Sequence, residues 1–408
     1  MEGKQLISSL RLRNLLSYGS KGEEIALQPL NVLIGRNASG KSNLIEAFAL
    51  LHAVPKSLAN YFRQGDGISE YLWKGAEPNN SPPIASIEVI VEYAEGKMPI
   101  RYQIGFTRVG QRMEVVDEAI EDEHPETTHN KTTNFYYRYG GGQGVLKFLS
   151  IKASPGITPL REERLLSRKE INWEESILPQ RKDPDQYPEI TYLGNVFDNI
   201  RIYGEFNLGN GTAAAFPQKA DFPDDFLLEN ASNLGLVLDD LSHRGKPLDR
   251  IIEKLQQAYG EIDRIYTRIR GGTVQVFVNE QGLYEPIPAT RLSDGTLRYL
   301  CLLTLLCHPE PPPLLCIEEP ELGLHPDVLP TIAELLIEAS QRTQLIVTTH
   351  SDALVSALST VPESVLVCER DNEGTRLRRL EPERLTEWLK KYSLGDLWRM
   401  GEIGGNRW

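Results

Sequence analysis

The chain has 408 residues, enough for two or three domains or for one elaborated α/β domain. Apolar residues make up 40% of it and charged residues 25%, as in ordinary soluble globular proteins, and no run of about 18 apolar residues predicts a membrane span. The formal net charge of −13 argues against non-specific nucleic-acid binding through bulk charge, although it leaves room for a local basic patch.

The amino terminus and the cysteines give no sign of export. Residues 1–5 lack the apolar segment of a signal peptide. The four cysteines stand in apolar stretches, at spacings that match neither metal sites nor redox motifs: Cys301, Cys307, Cys316 and Cys368. We therefore expect a cytoplasmic protein with buried free thiols and no membrane association.

Strands are predicted at the start of the chain. Residues 6–13 and 23–28 each alternate apolar and polar side chains, and residues 31–34 form a short apolar strand. Residues 35–42 then read Gly-Arg-Asn-Ala-Ser-Gly-Lys-Ser and match the phosphate-binding loop pattern G-x-x-x-x-G-K-[ST]. An apolar helix is predicted at 43–51, so strand, loop and helix follow in the order that this motif requires.

The loop predicts binding of ATP with Mg²⁺. Its glycines let backbone N–H groups point at phosphates, and the helix N-terminus adds partial positive charge. Lys41 is expected to reach the β- and γ-phosphates, and Ser42 to give its hydroxyl to the metal. The predicted nucleotide-binding residues of this stretch are Gly35, Asn37, Gly40, Lys41, Ser42 and Asn43.

The region after the loop predicts mainly β structure. Residues 54–83 are rich in Gly, Pro, Asn and Ser, which indicates loop with a short helix or two. Residues 85–148 predict an antiparallel sheet of short strands, with an exposed loop at 121–132. Further on, a helix is predicted near 160–177 and a mobile loop at 205–224.

A helix at 248–258 precedes a predicted β-hairpin at 262–279. Four residues share one face of the first hairpin strand: Arg264, Tyr266, Arg268 and Arg270. Arginines around an aromatic ring suit phosphates and bases. The solvent-exposed face of an antiparallel sheet has a similar composition, and we prefer that plainer interpretation.

Two apolar strands end in residues with acid, base or hydrogen-bonding chemistry. The strand at 314–317 runs into Glu318, which is placed to hold Mg²⁺, and Glu319, which is placed to polarise an attacking water. The strand at 344–349 ends in His350, whose neutral imidazole is suited to hydrogen-bond a γ-phosphate. Either group of residues alone could also be the ordinary polar start of a loop after a core strand. Together with the phosphate-binding loop they predict a catalytic set of Lys41, Glu319 and His350.

Residues 292–296 read Leu-Ser-Asp-Gly-Thr and precede an apolar helix at 297–307. Ser293 is predicted to cap that helix, and Gly295 allows close approach of a backbone. The pattern is weak evidence by itself and gains meaning only from the other motifs.

In this order the motifs resemble the ABC-type P-loop ATPases of the RecF, SMC and OLD group, in particular stand-alone bacterial AAA family ATPases near the OLD nucleases. The corresponding elements are the phosphate-binding loop, the signature at 292–296, Walker B at 317–320, the D-loop at 321–325 and the switch at 349–351. The resemblance implies an α/β fold with a mixed central sheet, an antiparallel β subdomain and an inserted helical subdomain.

Three parts are expected on this basis. Residues 1–150 would form an N-terminal ATPase lobe with the phosphate-binding loop and an antiparallel meander. Residues 151–290 would form an inserted helical and β region. Residues 291–408 would form a C-terminal ATPase lobe with the signature, Walker B, D-loop, switch histidine and tail.

The resemblance also implies a head-to-tail homodimer that encloses two ATP molecules. Ser293 and Gly295 of one protomer would complete the γ-phosphate site of the other. The chain departs from the family pattern in three ways. Asp294 stands where relatives carry glycine and is not taken as a ligand, Leu15 and Leu16 follow Asn14 where relatives often have arginine, and a Q-loop glutamine cannot be placed.

Two expected absences narrow the functional hypotheses. The sequence contains no long heptad segment of the kind that forms the coiled-coil arm of SMC proteins. The 58 residues after His350 are too few for the TOPRIM nuclease domain of a full OLD protein. The leading hypothesis is an ATPase that gates a separately encoded effector, such as a nuclease in anti-phage defence. The alternative is a RecF-like repair clamp that binds DNA. A transporter cassette and a purely structural role are disfavoured.

Overall fold

The computed structural model describes residues 3–75, 82–94, 96, 98–125, 133–149, 161–167, 169–204 and 211–405. The first half of the described chain contains β1 (Ile7–Arg13), β2 (Glu23–Ala26), β3 (Leu30–Gly35), α1 (Lys41–Ala53), α2 (Leu58–Gln64), α3 (Ile68–Tyr71), β4 (Ala85–Val91), β5 (Ile100–Val109), β6 (Arg112–Asp122), β7 (Phe135–Gly140), β8 (Gln143–Leu149) and β9 (Arg161–Leu166). The middle contains α4 (Pro188–Asp198), β10 (Ile200–Tyr203), β11 (Gln218–Lys219), α5 (Leu234–Arg244), α6 (Lys246–Ala258), β12 (Ile262–Arg270), β13 (Thr273–Glu280) and β14 (Ile287–Pro288).

The last third carries the remaining elements. They are α7 (Asp294–Leu306), β15 (Leu314–Glu318), α8 (Leu329–Ala339), β16 (Gln344–Thr348), α9 (Asp352–Ala357), β17 (Val365–Asp371), β18 (Gly374–Arg379), α10 (Pro382–Leu389) and α11 (Leu394–Met400). None of the helices in the described ranges combines the length and the hydropathy that a membrane crossing requires.

A mixed six-stranded sheet forms the centre of the molecule, in the order β10-β15-β16-β3-β17-β18. All neighbours are parallel except β17 and β18, which form an antiparallel edge. Every residue of β3 and β16 is buried. This explains why their sequences are almost continuously apolar rather than alternating, because helices or a second sheet cover both faces.

The two faces of the central sheet support two separate cores. Leu33 faces α1 and the antiparallel sheet, whereas Val32 and Ile34 face the opposite way, toward a layer that includes α5, α7 and α8. Helix α1 is apolar on most sides because it is packed between two sheets. The phosphate-binding loop therefore joins the fully buried strand β3 to α1, of whose 13 residues eight are buried.

The remaining strands form two antiparallel sheets. Eight strands pair in the order β2-β1-β4-β5-β6-β7-β8-β9, and β11 to β14 form a smaller sheet beside α5. The α/β class, the mixed central sheet and the antiparallel subdomain predicted from the sequence are confirmed.

Residues 151–290 contribute to all three sheets. Strand β9 extends the eight-stranded sheet past the expected boundary at residue 150, and β10 is an edge of the central sheet. The three-part division of the chain stays a prediction. The expected exposed loop at 121–132 is wrong at its start, because Glu121 and Asp122 are buried at the end of β6, and residues 126–132 lie outside the described residues. The expected mobile loop at 205–224 also lies partly outside them.

The helix predicted near 160–177 is wrong, because the described residues of that range contain no helix. Residues 161–166 form β9, which pairs with β8 from Gly144 to Leu149. Four of its six residues are exposed, which fits an edge strand whose polar side chains face water. Pairing with a neighbouring strand thus overrides the local preference of a charged segment, since β propensity depends strongly on context.

Candidate functional site

The phosphate-binding loop has a backbone that only small residues tolerate. Gly35 has φ 153° and Gly40 has φ 109°, and Ala38 between them has φ 62°. A Cβ atom on Gly35 would lie less than 3.0 Å from the carbonyl oxygen of Cys368. One on Gly40 would be equally close to Thr375 Oγ1. Both conformation and space therefore require glycine at these two positions.

Strands β17 and β18 support the loop from behind. Thr375 Oγ1 donates to the carbonyl oxygen of Ser39 at 2.9 Å and lies 2.7 Å from Ser17 Oγ. Cys368 Sγ donates to the same Ser39 oxygen at 3.2 Å. Burial raises the pKa of the Cys368 thiol to about 11, so the sulfur keeps its proton. These contacts fix the loop before any ligand binds.

The amine of Lys41 lies inside the loop. Lys41 is buried, and its Nζ donates to the carbonyl oxygens of Gly35 and Arg36, both at 2.9 Å. Burial lowers the pKa of Lys41, while the thiol of Cys368 and the carboxylate of Glu319 act in the opposite direction. The ammonium group is thus held where the loop would surround a phosphate.

The other predicted loop residues differ in exposure. Asn37 is exposed and lines a cavity of 490 Å³ together with residues of β17, and Ser42 is exposed at the start of α1. Asn43 is engaged, because its Nδ2 donates to Ser17 Oγ at 2.7 Å. Asn37 and Ser42 are thus open to a ligand. Asn43 instead holds Ser17, which closely follows the two leucines at 15 and 16 that stand where relatives often have arginine.

Glu318 and Glu319 lie at the carboxyl end of β15, beside the end of β16. Glu319 has φ 45°, a left-handed conformation that is uncommon for this residue, and its N–H donates to the carbonyl oxygen of Thr348 at 2.9 Å. Such local strain is found at functional sites, where surrounding contacts maintain it. The kink places the two carboxylates at the edge where parallel α/β sheets bind ligands.

His350 is brought next to Glu319. Its Nε2 lies 3.7 Å from Glu319 Oε1, and the two side chains are 22% and 33% exposed. Water can therefore reach both groups. The structure thus brings the Lys41 loop, Glu318, Glu319 and His350 to one edge of the central sheet, since β3, β16 and β15 are neighbours.

Glu321, which the resemblance placed only at the start of the D-loop, has a second role in the site that the sequence did not predict. Its Oε1 accepts hydrogen bonds from Thr349 Oγ1 and from the backbone N–H of His350, both at 2.7 Å. Burial raises the pKa of Glu321, and its Oε2 has no hydrogen-bond partner among the described residues. Its position two residues after Glu319 was the available signal. Sequence alone does not show that the side chain turns back to hold the histidine segment.

The signature residues sit at the start of α7. Ser293 Oγ accepts from the N–H of Thr296 at 3.1 Å and caps the helix, as predicted. A Cβ atom on Gly295 would lie 2.8 Å from the carbonyl oxygen of Gly323, so the D-loop turn is packed directly against α7. Arg298 secures this packing, because its guanidinium donates to the carbonyl oxygen of Leu322 at 2.7 Å.

Signature and phosphate-binding loop face different cavities in one chain. Ser293 and Thr296 line a cavity of 440 Å³ together with Tyr259 and Arg291. The described residues that line it include none from the loop. The two halves of the predicted ATP site thus line two different cavities of the chain.

The residues fit a nucleoside triphosphate with its magnesium ion. The glycine cradle leaves no room for a Cβ atom, and the positively charged Nζ of Lys41 lies within it, where it donates hydrogen bonds to loop carbonyl oxygens. Magnesium in such sites takes one or two protein oxygens, with phosphates and water as its other ligands. Ser42 and Glu318 are therefore a sufficient protein donor set, and their metal-binding role stays a prediction.

Comparison with known proteins agrees with this geometry. The chain is similar to the Old nuclease of Escherichia phage P2, with 30% identity over 145 residues that cover 32% of this chain and 24% of the phage protein. Its fold is similar to the solved structure of an SMC head bound to the C-winged helix domain of ScpA, with TM-score 0.59, 14% identity, and coverage of 93% and 99% of the two chains.

A second solved structure has a similar fold. It is an SMC head with an extended coiled coil bound to the C-terminal domain of ScpA, derived from Pyrococcus furiosus, with TM-score 0.55, 13% identity, and coverage of 95% and 99%. The profile of the family described as "AAA domain, putative AbiEii toxin, Type IV TA system" matches residues 30–356. The chain therefore belongs to this AAA-domain family of ATPases, is related to the Old nuclease over part of its length and has the fold of SMC heads.

Proposed function

We propose that the protein is an ATP-driven switch in which a second copy completes each nucleotide site. The observation that carries this proposal is the separation of Ser293 from the phosphate-binding loop within one chain. Ser293 is exposed and lines a cavity to which the phosphate-binding loop of the same chain does not contribute, so this helix start is available to the triphosphate of another copy. ATP would hold two copies together, and hydrolysis would release them.

Each residue of the site has a role in this scheme. Lys41 and the loop N–H groups bind the β- and γ-phosphates, while Ser42 and Glu318 hold Mg²⁺, which offsets phosphate charge when bound. Glu319 accepts the proton of the attacking water. His350, 3.7 Å from Glu319, orients that carboxylate and donates to the γ-phosphate. Asn37 and the glycines at 35 and 40 shape the cradle.

We further propose that the switch gates a separately encoded effector, such as a nuclease, in anti-phage defence. The similarity to the Old nuclease of phage P2 and the family description that refers to a toxin system support this direction. When ATP holds two copies together, their surfaces form a combined face that a single copy does not have. This combined face is what the effector would bind.

A complementation experiment tests the shared site. Lys41→Ala removes phosphate binding, whereas Ser293→Asp keeps a good helix cap but places negative charge toward the partner's triphosphate. Each variant alone is expected to lose ATP turnover. An equimolar mixture should regain part of it, since one intact site forms in each mixed dimer. Mixed dimers without recovered turnover would contradict the proposal, as would normal activity of Ser293→Asp alone.

Phage challenge tests the defence role. Phage should form fewer plaques on cells that express the wild-type chain together with its neighbouring genes than on cells that carry Lys41→Ala or Glu319→Gln in the same context. Equal plating efficiency of the wild type and both variants would reject the defence proposal while leaving the ATPase proposal intact.

A further inference from the structure

The outer face of the small sheet carries an unusual set of side chains. Residues of β12 and their cross-strand neighbours on β13 and β11 make up this surface, which we call the basic face: Lys219, Arg264, Tyr266, Arg268, Arg270 and Phe277. The opposite face of the same strands supplies the core, where Ile265, Val276 and Val278 are buried. The basic face is therefore not needed to fill the core.

The aromatic rings on this face are arranged as a platform. Tyr266 and Phe277 are opposite each other, with ring centroids 5.7 Å apart and planes inclined by 14°. The guanidinium of Arg268 lies 4.6 Å from the Phe277 centroid and 5.4 Å from that of Tyr266, and it donates to the Tyr266 hydroxyl at 3.0 Å. Stacked rings under a guanidinium offer a flat surface to a nucleobase.

The charge pattern is one-sided. Arg264, Arg268 and Arg270 face Asn279, Gln275 and Thr273 across the ladder, so each arginine has a neutral polar partner. Exposed antiparallel faces gain stability by pairing opposite charges, and this face does not use that option. Within the described part of the chain, none of these three arginines forms an ion pair.

The spacing also suits an extended polyanion. Alternate residues of a strand are roughly 6.8 Å apart, so Arg268 and Arg270 are separated by about that distance and Arg264 and Arg268, on either side of Tyr266, by about twice as much. The chain as a whole has a net charge of −13, so a polyanion is attracted only where basic side chains cluster locally, as they do on this face. An aromatic platform within a row of arginines matches a ligand that combines phosphates with flat bases.

We propose that the basic face binds single-stranded nucleic acid, with phosphates along Arg264, Arg268 and Arg270 and a base stacked at Tyr266 and Phe277. An unpaired strand fits better than a duplex, because stacking requires bases that are free of their partners. This site does not depend on ATP or on dimer formation, so its failure and the failure of the proposed switch are distinguishable.

Fluorescence anisotropy with a labelled oligo-dT strand tests the charge contribution. The triple variant Arg264→Gln, Arg268→Gln, Arg270→Gln should bind at least tenfold more weakly at low salt. Its slope of log affinity against log salt should be shallower by about 0.7 for each lost phosphate contact. The matched control changes three exposed arginines elsewhere to glutamine, Arg63, Arg112 and Arg384, and should bind like the wild type.

A second measurement separates nucleic acid from any other polyanion. Tyr266→Leu keeps the charges and should weaken oligo-dT binding roughly tenfold, because stacking on that base is lost. Inorganic polyphosphate should compete poorly at matched charge. Unchanged oligo-dT affinity in Tyr266→Leu, or equal affinity for polyphosphate, would overturn the proposal, as would equal losses in the control triple variant. Thermal melting of all variants verifies that they are folded.

Discussion

His350 Nε2 lies 3.7 Å from Glu319 Oε1, although the two residues follow the ends of different strands of the central sheet, β16 and β15. The kink at Glu319 and the contacts of Glu321 with the His350 segment create this proximity. A carboxylate beside an imidazole at a sheet edge can accept a proton from water while the ring keeps it oriented. This pair is the chemical centre of the proposed switch.

Glu319→Gln should lower kcat for ATP hydrolysis by about 10²- to 10⁴-fold, because an amide cannot act as a general base. ATP affinity should stay within a few-fold of the wild type, since the residue does not contribute to the phosphate cradle. Steady-state turnover and equilibrium ATP binding measure the two effects. Glu338→Gln on α8 is the matched control and should leave kcat unchanged; a comparable loss in it would argue against a specific role for Glu319.

Gly40→Ala should abolish ATP binding and destabilise the fold. The new Cβ would collide with Thr375 Oγ1, which adds an overpacking cost of about 1–3 kcal/mol to the strain of a left-handed backbone. Gly67→Ala is the control, because Gly67 also has positive φ but meets no atom within 4 Å. Chemical denaturation and ATP titration of both variants measure the difference. Equal destabilisation would mean that backbone strain alone accounts for the effect.

Gly295→Ala should reduce turnover while leaving ATP binding to the isolated chain unchanged. Its Cβ would lie 2.8 Å from the carbonyl oxygen of Gly323, so the D-loop turn must shift away from α7. Gly260 lines the cavity that Ser293 and Thr296 also line and meets no atom within 4 Å, and Gly260→Ala is therefore the control. Turnover that falls in Gly260→Ala but not in Gly295→Ala would contradict this prediction.

Glu118 should make stability dependent on pH. Burial raises its pKa to about 7, although Tyr102 OH and the N–H of Ile177 both donate to it at 2.9 Å. Because the folded carboxyl binds its proton more tightly than the unfolded one, its contribution is complete below about pH 4.5 and is lost as pH rises to about 7. The loss is on the order of 3 kcal/mol.

Denaturation of the wild type and Glu118→Gln between pH 5 and 8 checks this. The free energy of unfolding of the wild type should fall relative to that of the variant as pH rises. Glu114→Gln, on the same strand but partly exposed, is the control. A constant difference between the wild type and Glu118→Gln at every pH would show that Glu118 does not titrate in this range.

The central strands and the loop could be predicted from the sequence because their chemistry is local. A buried parallel strand is apolar throughout, and the residues that follow β3, β15 and β16 carry the motif. Ser293 was correctly expected to cap α7, since a cap depends on neighbouring residues only. Family resemblance added the order of these motifs and the fold that they imply.

Long-range contacts could not be predicted. Thr375 and Cys368 support Ser39 from more than 300 residues away, and nothing in their own sequence marks this role. The same limit explains β9, whose charged residues form a strand only because β8 offers an edge. Glu321 turns back to the His350 backbone for a similar reason, since tertiary contacts decide its direction.

The most direct test of the switch is the oligomeric mass of the wild type and Glu319→Gln, with and without ATP and Mg²⁺, with phosphate release read from the same samples. We predict that Glu319→Gln forms a stable dimer only with ATP and releases almost no phosphate, whereas the wild type dimerises transiently and turns over. A mass that ignores ATP in both proteins, while the wild type still hydrolyses it, would contradict the account.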